Sequence, residues 1–131
     1  MDDELKTLRV PGNVVEAITR LSELLRRRGV SVLASIDHAA GARAAGLHLA
    51  DEVVVLFGNP AVGTGLMQDD PRAGIDLPLR MLLWDDNGTT YAGYRDPQAL
   101  SDLFDLADHR DVPAKLSEFM TQLAFDLSVE H

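Results

Sequence analysis

Apolar residues recur at helical period from Val14 onward: Val14, Ile18, Leu21 and Leu25 make one stripe, with Ala17 and Leu24 beside it. Asn13 and Glu16 stand ahead of that stripe with the spacing of a capping box, so the pattern predicts a helix over 14–28, closed by Gly29. Before it, Leu5 to Val10 alternates weakly and stops at Pro11-Gly12, which reads as a strand running into a turn. Val30 to Ile36 is β-branched and apolar, a second strand leading to Asp37, which is placed to cap a short Ala-rich helix ending near Gly46. Val53 to Phe57 is an unbroken apolar run of the kind a central strand carries. Asn59 and Pro60 then open a helix over Ala61 to Gln68, because proline lacks the amide hydrogen that would go unpaired there anyway. Gly63 and Gly65 weaken that helix by about 1 kcal/mol each relative to alanine, so close approach of another backbone or of a ligand is expected to hold it.

Asp69 to Ile75 is polar, contains Pro71 and Gly74, and reads as a loop. Leu77 to Asp85 and Thr89 to Arg95 flank Asn87-Gly88, the strongest short-range hairpin signal, since a type I′ turn needs positive φ at both central positions. The two-residue loop fixes the register: Asp86 faces Thr89, Trp84 faces Tyr91, Leu82 faces Gly93 and Arg80 faces Arg95. Leu79, Met81, Leu83, Ala92 and Tyr94 fall on the other face, which is mainly aliphatic and suited to lie beneath helices. Asp96-Pro97 starts a helix through about Ala107. Val112 to Leu127 makes a last one, with Leu116, Phe119, Met120, Leu123 and Leu127 on one side. Glu130-His131 is set aside as a tail. Long helices at the two ends and a hairpin closing the sheet fit an α+β layer with a mainly antiparallel sheet, C-terminal helices on one face, better than a doubly wound parallel fold.

The length of 131 residues fits one domain, 1–131, with a real core. No apolar run reaches the roughly 18 to 20 residues of a spanning helix, and the acidic start MDDELKTLRV does not resemble a secretory signal, so the expectation is a cytoplasmic protein without membrane contact. The absence of cysteine removes disulfides, thiol nucleophiles and thiolate metal sites. A net charge of -9 repels polyanions and argues against nucleic acid. Arg26-Arg27-Arg28, the one basic run, sits where cations favour a helix dipole.

Gly58 and Gly63 have the spacing of a phosphate loop, yet Thr64-Gly65 stands where Lys-Ser or Lys-Thr is needed, so no nucleotide cofactor is expected. A weak anion at the helix start near Asn59 is compatible with the pattern. His38, His48 and His109 are too scattered for a zinc pair, and no metal is expected. Asp37-His38 reads first as a capping pair with a surface histidine and second as an acid and base. Arg80, among apolar strand residues, calls for a partner: Asp76 is nearest in sequence, and the alternative is that Arg80 and Arg95 offer cations to an anionic ligand. Trp84 and Tyr91 read as a sheet contact or dimer face before a stacking platform.

Three segments taken together, Ile36-Asp37-His38 with Ala45-Gly46, Phe57-Gly58-Asn59-Pro60 with Gly63-Thr64 and Leu66-Met67, and Asp76-Leu77-Pro78-Leu79-Arg80 with Trp84-Asp85, resemble the pattern of the domain of unknown function 302 family over roughly 35–97. Asp85-Asp86 departs mildly from the family's Glu-Asp after the tryptophan. The resemblance implies one curved five-stranded sheet in β-α-β4-α order, related in shape to the TATA-binding-protein and ZipA C-terminal group, often dimeric, with no established activity. The leading functional expectation is a small noncatalytic binding or interaction domain, homodimeric, taking a small anionic ligand or a protein partner. Its surfaces would be the Arg80, Leu82, Trp84, Tyr91 face or the crevice beside Asn59 to Gly65, with Asn59, Gly63, Thr64, Asp76, Arg80, Trp84 and Tyr91 as ligand-binding candidates. The alternative is a small hydrolase or isomerase using Asp37, His38, Asp76 and Arg80.

Overall fold

The Asn87-Gly88 turn sets the register from which the sheet is built. In the computed structural model, which describes residues 5–129, Asn87 and Gly88 both have positive φ, 52° and 91°. β4 (Leu79–Asp86) and β5 (Thr89–Tyr94) accordingly pair Asp86 with Thr89, Trp84 with Tyr91 and Leu82 with Gly93. β1 (Lys6–Val10) joins the far side of β5, and β3 (Glu52–Gly58) joins β4 and carries β2 (Ser31–Asp37) at the other edge. All neighbours in this five-stranded order, β1-β5-β4-β3-β2, are antiparallel. The tail Glu130-His131 and the first four residues lie outside the described residues.

α1 (Val14–Arg27) starts on the expected capping box: Asn13 Oδ1 accepts from the Glu16 amide at 2.8 Å, and Glu16 Oε1 accepts from the Asn13 amide at 3.0 Å. It lies with α5 (Val112–Ser128) on one face of the sheet, where Leu21, Leu25, Leu123 and Leu127 enclose Phe57, Met81, Leu83 and Ala92. The short α2 (His38–Ala44) is capped by Asp37, which accepts from the Ala40 amide at 2.9 Å. α3 (Pro60–Asp69) anchors a second, smaller core in which Leu66, Ala73, Leu100 and Leu106 are buried together.

Two expectations need correction. The segment 69–75 is not simply a loop: after α3 ends, Asp70 caps a 3-10 helix, Pro71–Asp76. The helix expected through Ala107 breaks early, into a 3-10 turn (Pro97–Ala99) and one turn of α4 (Leu100–Leu103), with Phe104 extended at φ -133° and ψ 156°. The cause is tertiary. Leu100 and Leu106 both enter the Leu66 core, and the Asp105 amide donates to Asp70 Oδ2 at 3.1 Å instead of to a helical carbonyl.

β2 stands apart from its neighbours, since all seven of its residues are exposed. Its register shifts between Val32 and Ala34, a bulge that leaves Leu33 unpaired with β3.

Candidate functional site

The glycines of α3 have separate explanations. A Cβ on Gly65 would lie 2.9 Å from Nε2 of His109, so only glycine lets the helix pass that ring. Nδ1 of His109 is 2.8 Å from Oδ2 of buried Asp69, which fixes the ring in place. Gly63 is under no such pressure: its Cβ would meet Met67 Cε at 3.8 Å and Leu77 Cδ1 at 3.9 Å, ordinary contacts, and it opens onto a crevice.

That crevice, of about 640 Å³, runs between α3 and the first half of α5 at one end of the sheet. Its walls are aliphatic, with Leu33, Val62, Leu66, Leu79 and Leu116 among them and Phe119 as the aromatic member. The expected candidates Asn59, Gly63 and Thr64 all line it. The amides at the start of α3 are not free for the weak anion expected there. Pro60 has none, Ala61 donates to Asn59 Oδ1 at 3.0 Å, and Val62 and Gly63 donate to the Asn59 carbonyl at 3.0 and 3.2 Å.

Positive charge reaches the crevice from elsewhere. Its charged lining residues are Arg28, from the end of α1, and Lys115, from α5. Arg28 is largely engaged: Nη1 donates to the Leu24 carbonyl at 3.1 Å and Nη2 to Asp126. Lys115 is exposed and touches one carboxylate, Asp111, at 2.9 Å, which holds its ammonium above the usual lysine range and therefore charged. Sequence reading missed both as site residues. Arg28 looked like one of three dipole-matching arginines, whereas Arg26 and Arg27 close on Glu23, whose carboxyl is held down to about 2, chiefly by its hydrogen bond from Arg26. A smaller hollow of about 290 Å³ beside Phe104 and Arg110 holds none of the expected candidates.

The remaining candidates are not gathered there. Trp84 and Tyr91 stack, ring centroids 5.6 Å apart and planes at 24°, over Gly93, where a Cβ would come within 3.0 Å of the indole. Because side chains alternate along β4, that stack is on the opposite sheet face from crevice-lining Leu79. Arg80 is exposed and bends back to donate to the Pro78 carbonyl at 3.3 Å. The expected Asp76–Arg80 ion pair is not among the pairs formed by the described residues, and solvent supplies what a buried guanidinium would have required. Asp37 and His38 lie at the other end of β2. Arg80 pairs with Leu56, which pairs with Ala34, so Asp37 is three residues along and two strands across, about 10 Å in each direction. Among the described residues no three His, Asp or Glu side chains are gathered as for a metal.

The family described as Domain of unknown function DUF302 matches this chain over residues 6–124. The chain belongs to that family. The structure of a DUF302 protein from Bacillus stearothermophilus superposes with a TM-score of 0.83 over 96% of this chain and 99% of that one, at 22% identity, a likeness of fold. Among curated proteins, Fluoride-specific ion channel FluC 1 of Brucella suis biovar 1 is 38% identical over 116 residues, which is 88% of this chain and 46% of that protein. Fluoride-specific ion channel FluC 2 of Brucella melitensis biotype 1 is 38% identical over 116 residues, 88% of this chain and 43% of its own length. This DUF302 chain thus spans under half of each of these relatives. Among its described residues no helix is long and apolar enough to cross a membrane.

Proposed function

We propose that this DUF302 protein is a small noncatalytic binding domain of the cytoplasm, working as a homodimer, whose crevice between α3 and α5 takes a small ligand. The observation that carries the reading is the crevice itself, an apolar volume in the range of about 300 to 1,000 Å³ that small-molecule sites occupy, lined by Asn59, Gly63 and Thr64. The separation of Asp37 and His38 from Arg80 favours binding over catalysis, since proton transfer demands hydrogen-bond reach or one bridging water. Self-association is supported by β2, an exposed edge strand carrying Val32, Leu33 and Ile36, with Leu47 and Leu49 exposed in the segment that follows α2. Pairing two copies of β2 about a twofold axis would continue the sheet and cover these side chains.

Light scattering on the eluting protein tests the assembly. The wild type is expected at twice the chain mass, and Ile36→Lys, which places a charge on the edge, is expected to elute as monomer with unchanged circular dichroism. A monomeric wild type at 100 μM removes the dimer. A second reading, a docking domain for a membrane-embedded channel, is favoured by the Brucella relatives, whose lengths are more than twice the matched segment. Co-purification of the domain with the channel portion of such a relative, expressed as a separate chain, distinguishes it.

A further inference from the structure

The lining of the crevice is biased in sign as well as in polarity. In a chain with 21 acidic and 12 basic residues, chance favours carboxylates on any wall, yet the charged side chains lining this one are Arg28 and Lys115. The rest of the lining is aliphatic, apart from Phe119, two residues with polar side chains, Asn59 and Thr64, glycines, prolines and Met67. Asn59 has already committed its carbonyl oxygen to the Ala61 amide. Such walls offer few directed hydrogen bonds, so they suit an alkyl body and not a ligand decorated with polar groups.

The two cations are also far apart and unequal. Arg28 reaches α5 at Asp126, eleven residues after Lys115, which is about 16 Å of helix rise. On α5 the lining runs only from Val112 to Phe119, about 10 Å of rise, with Lys115 inside that stretch and the Arg28 guanidinium engaged beyond it at Asp126. Arg28 has its two terminal nitrogens engaged, whereas Lys115 has three donors and a single carboxylate contact. One exposed cation with donors to spare beside an apolar wall matches a ligand with one anionic head and one tail. Asp126 and Asp111 balance the two cations one for one, so no surplus charge is left to hold a phosphate dianion, and a monoanion sharing the unused Lys115 donors is the better fit.

Resting on the crevice as a ligand site, we propose that its ligand is a free straight-chain aliphatic carboxylate, with the carboxylate on Lys115 and the tail lying along Leu116, Phe119 and Val62 toward Leu33. The pairing is charge-assisted and needs no deep burial of the head, while each methylene that leaves water tightens binding about threefold to fourfold.

Isothermal titration of the 131-residue chain with octanoate, decanoate, decanol and decyltrimethylammonium, each below its micelle threshold, tests this. Decanoate is expected to bind roughly tenfold more tightly than octanoate and about twofold to fivefold more tightly than decanol, with the ammonium weakest. Lys115→Gln, at an exposed position that does not threaten folding, is expected to bring decanoate down to the decanol value and leave decanol unchanged. Val62→Trp, which fills the groove from an exposed wall, is expected to abolish both. Equal binding of decanol and decanoate, or a Lys115→Gln protein that keeps the difference, overturns the carboxylate assignment while the crevice remains a ligand site. Binding that survives Val62→Trp places the alkyl chain elsewhere and overturns the proposal. Absence of binding by all four probes overturns it together with the small-molecule reading on which it rests.

Discussion

Gly63 and Gly65 stand two residues apart in α3 and answer to opposite pressures. Replacing Gly63 by alanine adds a methyl in ordinary contact with Met67 and Leu77 and restores helix propensity, so Gly63→Ala is expected to stabilise the protein by about 0.5 to 1 kcal/mol in urea unfolding. Gly65→Ala gains the same propensity but drives a Cβ into an imidazole held by Asp69, and a net loss of about 1 to 2 kcal/mol is expected. The cause is checked by the pair: on a His109→Ala background the ring is gone, and Gly65→Ala should become stabilising. If it stays destabilising there, the imidazole is not what demands glycine. The sequence predicts another backbone or a ligand against this helix, whereas the neighbour at Gly65 is the His109 side chain. That neighbour was not legible, because His109 comes from a distant segment and the pair meets only in the folded chain. Asn59, whose capping role is local, was fully legible.

At the scale of elements, legibility follows how local the determining contacts are. The capping box of α1 and the Asn87-Gly88 hairpin are written in adjacent residues and form as read, register included. The 97–107 segment is the contrasting case, because its apolar residues suit a helix but Leu106 and the Asp105 amide are taken by α3 and by Asp70. Asp70 is the tie between these pieces. Its side chain is 6% exposed, accepts from the Arg72 backbone and guanidinium at 2.8 to 3.0 Å and from Asp105 at 3.1 Å, and is held well below the usual carboxylate range, first by the Arg72 side chain. A carboxyl so depressed contributes stability above its unfolded value of about 4 and loses it as pH falls below that. Asp70→Asn should therefore be less stable than wild type in urea at pH 7, and the gap should narrow by pH 2.5. An equal gap at both values would mean that the ionised form is not what these elements use.

For the whole molecule, the acidic surplus sets behaviour that individual ion pairs do not. The pairs Arg26–Glu23, Arg27–Glu23 and Lys115–Asp111 are exposed and contribute little, whereas a net charge of -9 on a chain of 131 residues repels itself. Raising sodium chloride from about 10 to 150 mM shortens the screening length to about 8 Å and should raise the melting temperature by a few degrees in calorimetry. A fall would show that attractive pairs dominate. The crevice beside Asn59 to Gly65 was legible in the sequence, but the two cations on its walls were not. Arg28 and Lys115 lie far apart in the chain, and only the closing of α1 and α5 over the sheet brings both to one wall.

The strand order also fixes a timetable. Both outer strands, β1 and β2, are drawn from residues 6–37, and the three inner ones from residues 52–94. As the polypeptide leaves the ribosome, the first two strands emerge with no partner yet made, and β1 must wait for Tyr94 before it can dock. During that interval α1, already capped by its own neighbours, is the early structure at hand to shield the apolar run that becomes β2.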